Sequence, residues 1–354
     1  MRDESLKFLQ SLLETPSVSG FEQPVGRLVH KRMKPVADEI TTDVHGNTIV
    51  CINPKGTPRI MLSGHCDQIG LMVRHIDDQG YLYFGSVGGI DPTVLPGSRV
   101  TVYNKNGPVN GVIGRKPIHL MKQEERGQGK VELTDLWIDI GAKDKADAGK
   151  RVSIADPVSY TLGLQRLGTD QITSPGLDDK VGLFVVMEAL RLLADRRIKC
   201  GLFAVASVQE ELGLRGARTS CYGIDPLVGI AVDVTHATDN PGADKRVAGD
   251  LALGKGPVIE VGANINKVLS DLLIDTAKKK KISYQLSAAP VATGTDANAM
   301  QISRGGVATA LVSVPNRYMH TQVEVVSLTD IEICAKLVAE TVARIDAKTS
   351  FIPT

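Results

Sequence analysis

Residues 202–213, Leu202-Phe203-Ala204-Val205-Ala206-Ser207-Val208-Gln209-Glu210-Glu211-Leu212-Gly213, run from an apolar stretch straight into two adjacent carboxylates. The apolar part has the length and texture of a strand buried on both faces, which belongs in a parallel sheet covered by helices. Two acids emerging where such a strand ends raise each other's pKa and destabilise the spot unless a cation offsets them. The pair therefore marks a candidate site, in which one carboxylate binds a metal ion and its neighbour accepts a proton.

The same alternation extends outward on both sides. Val181 to Leu193 is a strongly apolar helix, Val228 to Val234 and Gly306 to Val314 are further buried strands, and Ile331 to Ile345 is a closing helix with apolar positions at Ile333, Leu337, Val338 and Val342. Upstream, Leu6 to Leu13 and Val25 to Met33 have helical spacing around the turn Ser17-Val18-Ser19-Gly20. Asn47 to Ile52 and Arg59 to Ser63 are short strands, the second ending at Gly64-His65. This order predicts an α/β fold, an open and mostly parallel sheet with helices on both faces and sites at the strand C-terminal ends.

Between Gln68 and Ser159 the texture changes to short alternating runs, Leu71-Met72-Val73, Tyr81-Leu82-Tyr83-Phe84, Val100-Thr101-Val102-Tyr103 and Gly111-Val112-Ile113-Gly114. Gly88-Gly89, Pro96-Gly97 and Gly107-Pro108 punctuate them, as in a small barrel or sandwich. The expected organisation is one domain over 1–67 and 160–354, with an inserted all-β domain over 68–159. No solenoid repeat or low-complexity linker is visible.

A chain of 354 residues accommodates two domains, or one large domain with an insertion. Lys plus Arg (41) balance Asp plus Glu (40), so the overall charge calls for neither nucleic acid nor an anionic membrane surface. The basic block Lys278 to Lys281 follows the helical stretch Val268 to Ile274, and cations suit a helix C-terminus. Five scattered cysteines, Cys51, Cys66, Cys200, Cys221 and Cys334, show no CxxC spacing, which fits reduced thiols and a cytoplasmic location. The start, Met1-Arg2-Asp3-Glu4-Ser5, has neither the apolar core of a signal peptide nor a membrane span.

Four more motifs sit at predicted strand ends or at the entry to a helix. In Gly64-His65-Cys66-Asp67, Asp67 could hold the second ring nitrogen of a metal-binding His65, although for an isolated His-x-Asp an ordinary loop is the plainer explanation. In Leu177-Asp178-Asp179-Lys180, Asp178 could bridge two metals with Asp179 in support, while capping of the following helix is the plainer explanation. Asp233 lies inside the apolar run Ile230 to Val234 and needs a partner, and His320 follows another strand. Together the residues make two sets sharing Asp178: His65, Asp178 and Asp233 for one ion, and Asp178, Glu211 and His320 for the other. A shell of imidazole and carboxylate without thiolate suits zinc, with cobalt or manganese as alternatives. Two such ions would activate a water and polarise a carbonyl, leaving Glu210 as general base.

With these residues assembled, the chain resembles the tetrahedral aminopeptidases, co-catalytic metallopeptidases that include the deblocking and glutamyl aminopeptidases. The likeness runs nearly end to end. It is carried by Gly64-His65-Cys66-Asp67-Gln68-Ile69-Gly70, Leu177 to Gly182, Gln209 to Ala217, Asp233-Val234-Thr235, Gly294-Thr295-Asp296-Ala297 and Asn316 to Thr321. The resemblance implies the roles proposed above, with Asp67 and Glu210 catalytic, Asp178 bridging, and Gly294, Thr295 and Asp296 bordering the substrate pocket. It further implies peptide substrates, an inserted domain that mediates dimerisation, and dimers assembled into a hollow dodecamer. Gln68, Cys66 and Gln322 stand where the family commonly has Glu, Met and Pro. Some relatives have been described as endoglucanases, but sugar sites favour aromatic platforms and aromatics are 4% of this chain. A carboxypeptidase or deacylase would use much the same cage, and a non-catalytic assembly protein would have little reason to keep Glu210.

Overall fold

The computed structural model describes residues 1–123 and 131–353. The chain opens with α1 (Asp3–Glu14) and α2 (Gln23–Met33), then β1 (Glu39–Thr42), β2 (Thr48–Ile52) and β3 (Arg59–His65). Six strands follow, β4 (Gly70–Ile76), β5 (Leu82–Val87), β6 (Arg99–Asn104), β7 (Gly107–Arg115), β8 (Leu136–Asp139) and β9 (Pro157–Tyr160), with α3 (Lys145–Arg151) before the last. Next come β10 (Gln165–Leu167), β11 (Gln171–Ser174), α4 (Leu177–Ala194), β12 (Gly201–Ser207), α5 (Arg215–Ile224), β13 (Val228–His236) and α6 (Lys245–Ala248). The remainder is β14 (Val258–Val261), α7 (Lys267–Lys280), β15 (Gln285–Ala288), α8 (Asp296–Gln301), β16 (Ala308–Asn316), β17 (Glu324–Ser327) and α9 (Leu328–Val342).

The contacts divide the chain into two units. The larger holds Met1–Gln68, Gly163–Met319 and Val323–Thr354, and is built on a mixed sheet in the order β1-β2-β12-β3-β13-β16-β14-β15. Its centre, β12-β3-β13-β16, is parallel, while β2 and β14 join antiparallel on either side. The α/β expectation is met, and β1, β14 and β15 are strands that periodicity did not reveal. Helix α4 is buried along nearly its whole length because it is apolar all round, and β3 lies directly against it. That approach needs glycine at position 64: a Cβ there would stand 2.5 Å from the Gly182 carbonyl carbon. On the opposite face α8 packs on β13, where Met300 covers Gly229.

The smaller unit comprises Ile69–Leu162 together with His320–Gln322. Its strands close a barrel in the order β4-β5-β8-β7-β6-β9. Alternate residues point inward to form a separate core that includes Leu71, Val73, Leu82, Val100, Ile113 and Ile138. The Lys278–Lys281 block does end α7, with Lys281 as its left-handed C-cap. All five cysteines are free and buried. Among the described residues no helix is long and apolar enough to cross a membrane.

Candidate metal centre

Parallel neighbours bring the candidate ligands of the large unit to one end of the sheet. His65 closes β3 and is in register with Ser207 of β12, so Glu210 and Glu211 emerge beside it; β13 flanks β3 on the other side and carries Asp233. His65 Nε2 lies 3.0 Å from Asp178 Oδ1 and 3.9 Å from both Glu210 Oε2 and Asp233 Oδ1. His65, Asp178, Asp233 and Glu210 are all buried. One ligand atom each from His65, Asp178 and Asp233 falls within 4.8 Å of the others, and so does one each from His65, Glu210 and Glu211.

Burial pushes Glu210 up to about 10, with Asp233 adding to the rise and His65 opposing it. Asp233 is pushed up to about 8, again by burial first and then by Asp178. Burial works against a charged His65, yet Glu210, Asp178 and Asp67 outweigh it and hold its pKa well above the ordinary value. These acids are ionised together only if cations enter among them, and the mixed imidazole and carboxylate donor set matches divalent metals of the zinc type. The residues present fit such ions.

Three surrounding acids hold this arrangement in shape. Asp67, fully buried, accepts hydrogen bonds from the backbone N–H of Glu210 (3.0 Å) and Glu211 (3.2 Å) and from the Ser19 hydroxyl (2.6 Å). The sequence suggested that its carboxylate receives the His65 ring. Instead His65 Nδ1 is nearest the Asp67 backbone carbonyl, at 3.0 Å, with the carboxylate at 3.5 Å, because that carboxylate is already engaged by the 210–211 backbone. Asp179, joined to Asp178 by a cis peptide, accepts from the Gly182 and His65 N–H groups at 2.9 and 3.2 Å. Capping α4 thus falls to Asp179, which leaves Asp178 facing His65. Glu324 accepts from the Asp178 N–H at 2.9 Å. Sequence reasoning missed Glu324; an acid within the apolar run Val323 to Val326 was the available signal.

The remaining candidates divide in character. His320 lies in the loop between β16 and β17, at φ 62°, with Nδ1 2.7 Å from the Gly89 carbonyl oxygen within the smaller unit. Thr295 lines a cavity in the large unit. Asp296 is turned away beneath the sheet end, where its Oδ2 accepts from Ser63 and Ser207. Gln68 accepts from the fully buried Lys180 ammonium, which also donates to the Thr15 carbonyl at 2.7 Å. The Cys66 thiol is sealed in the core, and burial holds its pKa well above the usual value.

A family model described as M42 glutamyl aminopeptidase matches residues 46–337. The chain belongs to the M42 peptidase family. A lysyl aminopeptidase of Pyrococcus furiosus is 40% identical over 336 residues, 94% of each chain. Among solved structures, a TET aminopeptidase from a marine sediment archaeon, Thaumarchaeota archaeon SCGC AB-539-E09, superposes with a TM-score of 0.93 at 34% identity, covering 98% of both chains. The Pyrococcus horikoshii TET1 peptidase, which can assemble into a tetrahedron or a large octahedral shell, has a TM-score of 0.85 at 32% identity, covering 96% of this chain and 100% of its own. The resemblance carried by the motifs is borne out, and this M42 peptidase is a peptide hydrolase.

Proposed function

We propose that this chain is a two-metal aminopeptidase that removes residues from the N-terminus of peptides. The observation that carries this reading is the convergence of His65, Asp178, Asp233 and Glu210 in one buried place, with pKa values that call for cations. His65, Asp178 and Asp233 would hold one ion, and Asp178, Glu211 and His320 the other, with zinc the metal we favour over cobalt or manganese. Divalent ions in such a shell lower the pKa of water and polarise a peptide carbonyl. Glu210 takes the proton from the attacking water and passes it to the leaving amine. Asp67 holds Glu210 and Glu211 by their backbone amides, so the base and its neighbour keep a fixed separation from His65.

The barrel unit is the proposed dimerisation module, with dimers building a tetrahedral dodecamer; the assembly of the P. horikoshii peptidase supports a homo-oligomer of this kind. Five buried, free thiols support a cytoplasmic location. The family's glutamyl description and the lysyl relative differ in side-chain preference, so neither decides it for this chain.

The test is the Glu210→Gln variant, assayed with metal content measured. Retained metal with kcat lowered by about 10²- to 10⁴-fold is the expected result; unchanged turnover removes Glu210 from its role. Cleavage of free but not N-acetylated peptides distinguishes aminopeptidase action from that of a deacylase or carboxypeptidase.

A further inference from the structure

A cavity of about 590 Å³ opens in the large unit where β13 runs past Asp233: Val234, Thr235 and His236 form part of its wall. The facing wall is β14, β15 and the segment that follows β15. Register relates this space to the metal centre. Asp233 pairs with Ser313 of β16, and Ser313 pairs with Val258 of β14, so all three side chains share one face. Glu260, two residues beyond Val258, is on that same face. It stands two strand spacings from β13, roughly 10 Å to the side.

Glu260 is the uncommon feature of this cavity. Much of the rest is apolar or small, including Val234, Leu286, Ala288, Val291 and Leu311. Glu260 is only 5% exposed, its carboxyl is bonded by the Ser287 hydroxyl, and burial raises its pKa. Among the described residues no cation pairs with it. The two cations on the cavity wall are engaged elsewhere, Lys245 with Asp250 at 2.6 Å and Arg246 with Asp244 at 2.7 Å. Between Glu260 and the Asp233 strand, the buried Ser313 hydroxyl also lacks a partner among the described residues. A desolvated carboxylate without a cation is unfavourable, and a ligand that brings one relieves the strain.

We propose that Glu260 is the specificity-determining residue of this enzyme, receiving the cationic side chain of an N-terminal lysine or arginine. The inference rests on the aminopeptidase reading, which puts the substrate's first residue at the metal centre beside Asp233. A long basic side chain lays its methylenes along Leu311, which shares the face of Ser313, and delivers its charge to Glu260, with Ser313 available as a second hydrogen-bond partner. An acidic side chain entering the same space meets a like charge, and a short apolar one leaves Glu260 unpaired.

The experiment compares lysyl-, arginyl-, leucyl- and glutamyl-p-nitroanilide with wild type, Glu260→Gln and Glu260→Lys. Wild type is expected to prefer the basic substrates. In Glu260→Gln the ratio of kcat/KM for lysyl over leucyl falls by about 10- to 100-fold, whatever the absolute rates, and the loss resides mainly in KM. Glu260→Lys shifts preference toward glutamyl. A wild type that favours glutamyl, or a lysyl-to-leucyl ratio unmoved in Glu260→Gln, overturns the assignment. Absence of cleavage of all four by wild type overturns the aminopeptidase reading itself, which is a separate outcome.

Discussion

Replacing Gly64 by alanine tests the contact on which the site geometry depends. The added methyl would lie 2.5 Å from the Gly182 carbonyl carbon and 2.5 Å from the Leu183 nitrogen, both backbone atoms that no rotamer change can remove. Ordinary contact begins at 3.4 Å, so strand β3 and helix α4 must separate by 3.4 − 2.5 = 0.9 Å. Overpacking of this kind destabilises by about 1–3 kcal/mol. The displacement falls one residue before His65 and close to the start of α4, where Asp178 and Asp179 sit, so it moves the proposed ligands His65 and Asp178 apart. A misplacement of about 1 Å at reacting groups costs on the order of 10²-fold in rate. Urea denaturation should show a lower midpoint at unchanged slope. Aminopeptidase assays should show kcat/KM reduced by about that factor, with weaker metal retention. A variant that matches wild type in both midpoint and turnover would refute the claim that glycine is required there by close backbone packing.

Other expectations concern the acids around the centre and the ions themselves. Asp67→Asn keeps the shape but loses one acceptor among the Ser19, Glu210 and Glu211 donors; metal affinity and kcat should each fall by about 10–100-fold, measured by metal titration and steady-state kinetics. Glu22 is buried and pushed from 4.5 up to about 7 by desolvation, so its contribution to stability is fully present below pH 4.5 and is lost as pH rises through 7. One oxygen, Oε1, accepts from both Gly20 and Gln209, which a glutamine can reproduce. Glu22→Gln should therefore exceed wild type by up to about 3 kcal/mol at pH 9 and converge with it near pH 4, as read from urea midpoints at the two values. Chelation should abolish activity and lower Tm, both restored by adding zinc; at ion concentrations about 100-fold above Kd the stabilisation is about 2.7 kcal/mol.

What could be read from the sequence was what depends on neighbours along the chain. The apolar runs at 202–208, 228–234 and 306–314 correspond to β12, β13 and β16 because a strand buried on both faces must be continuously apolar. Strands β14 and β15 escaped notice for the complementary reason. Each is four residues long, and β15 alternates half-buried with exposed positions at the sheet edge, so neither shows a run long enough to separate from a loop. Asp178 and Asp179 were ambiguous because adjacent acids before a helix look alike. The division of labour appears only in three dimensions, where Asp179 takes the Gly182 amide.

The roles of Asp67, Glu22 and Glu324 show why a candidate ligand set is easier to name from sequence than the framework around it. Metal ligands must be His or carboxylate in a site without thiolates, so residue type alone narrows the choice. A framework residue is defined by whom it reaches: Asp67 grips amides 143 and 144 positions away, and Glu324 one 146 positions away. No local pattern encodes such pairings. Acids bonded to backbone amides carry charge into the interior without consuming a side-chain cation, and that leaves the converging carboxylates of the centre to be balanced by ions from outside. By the same logic Glu260, which stands apart from the converging carboxylates of the centre, is left to be balanced by what the substrate brings.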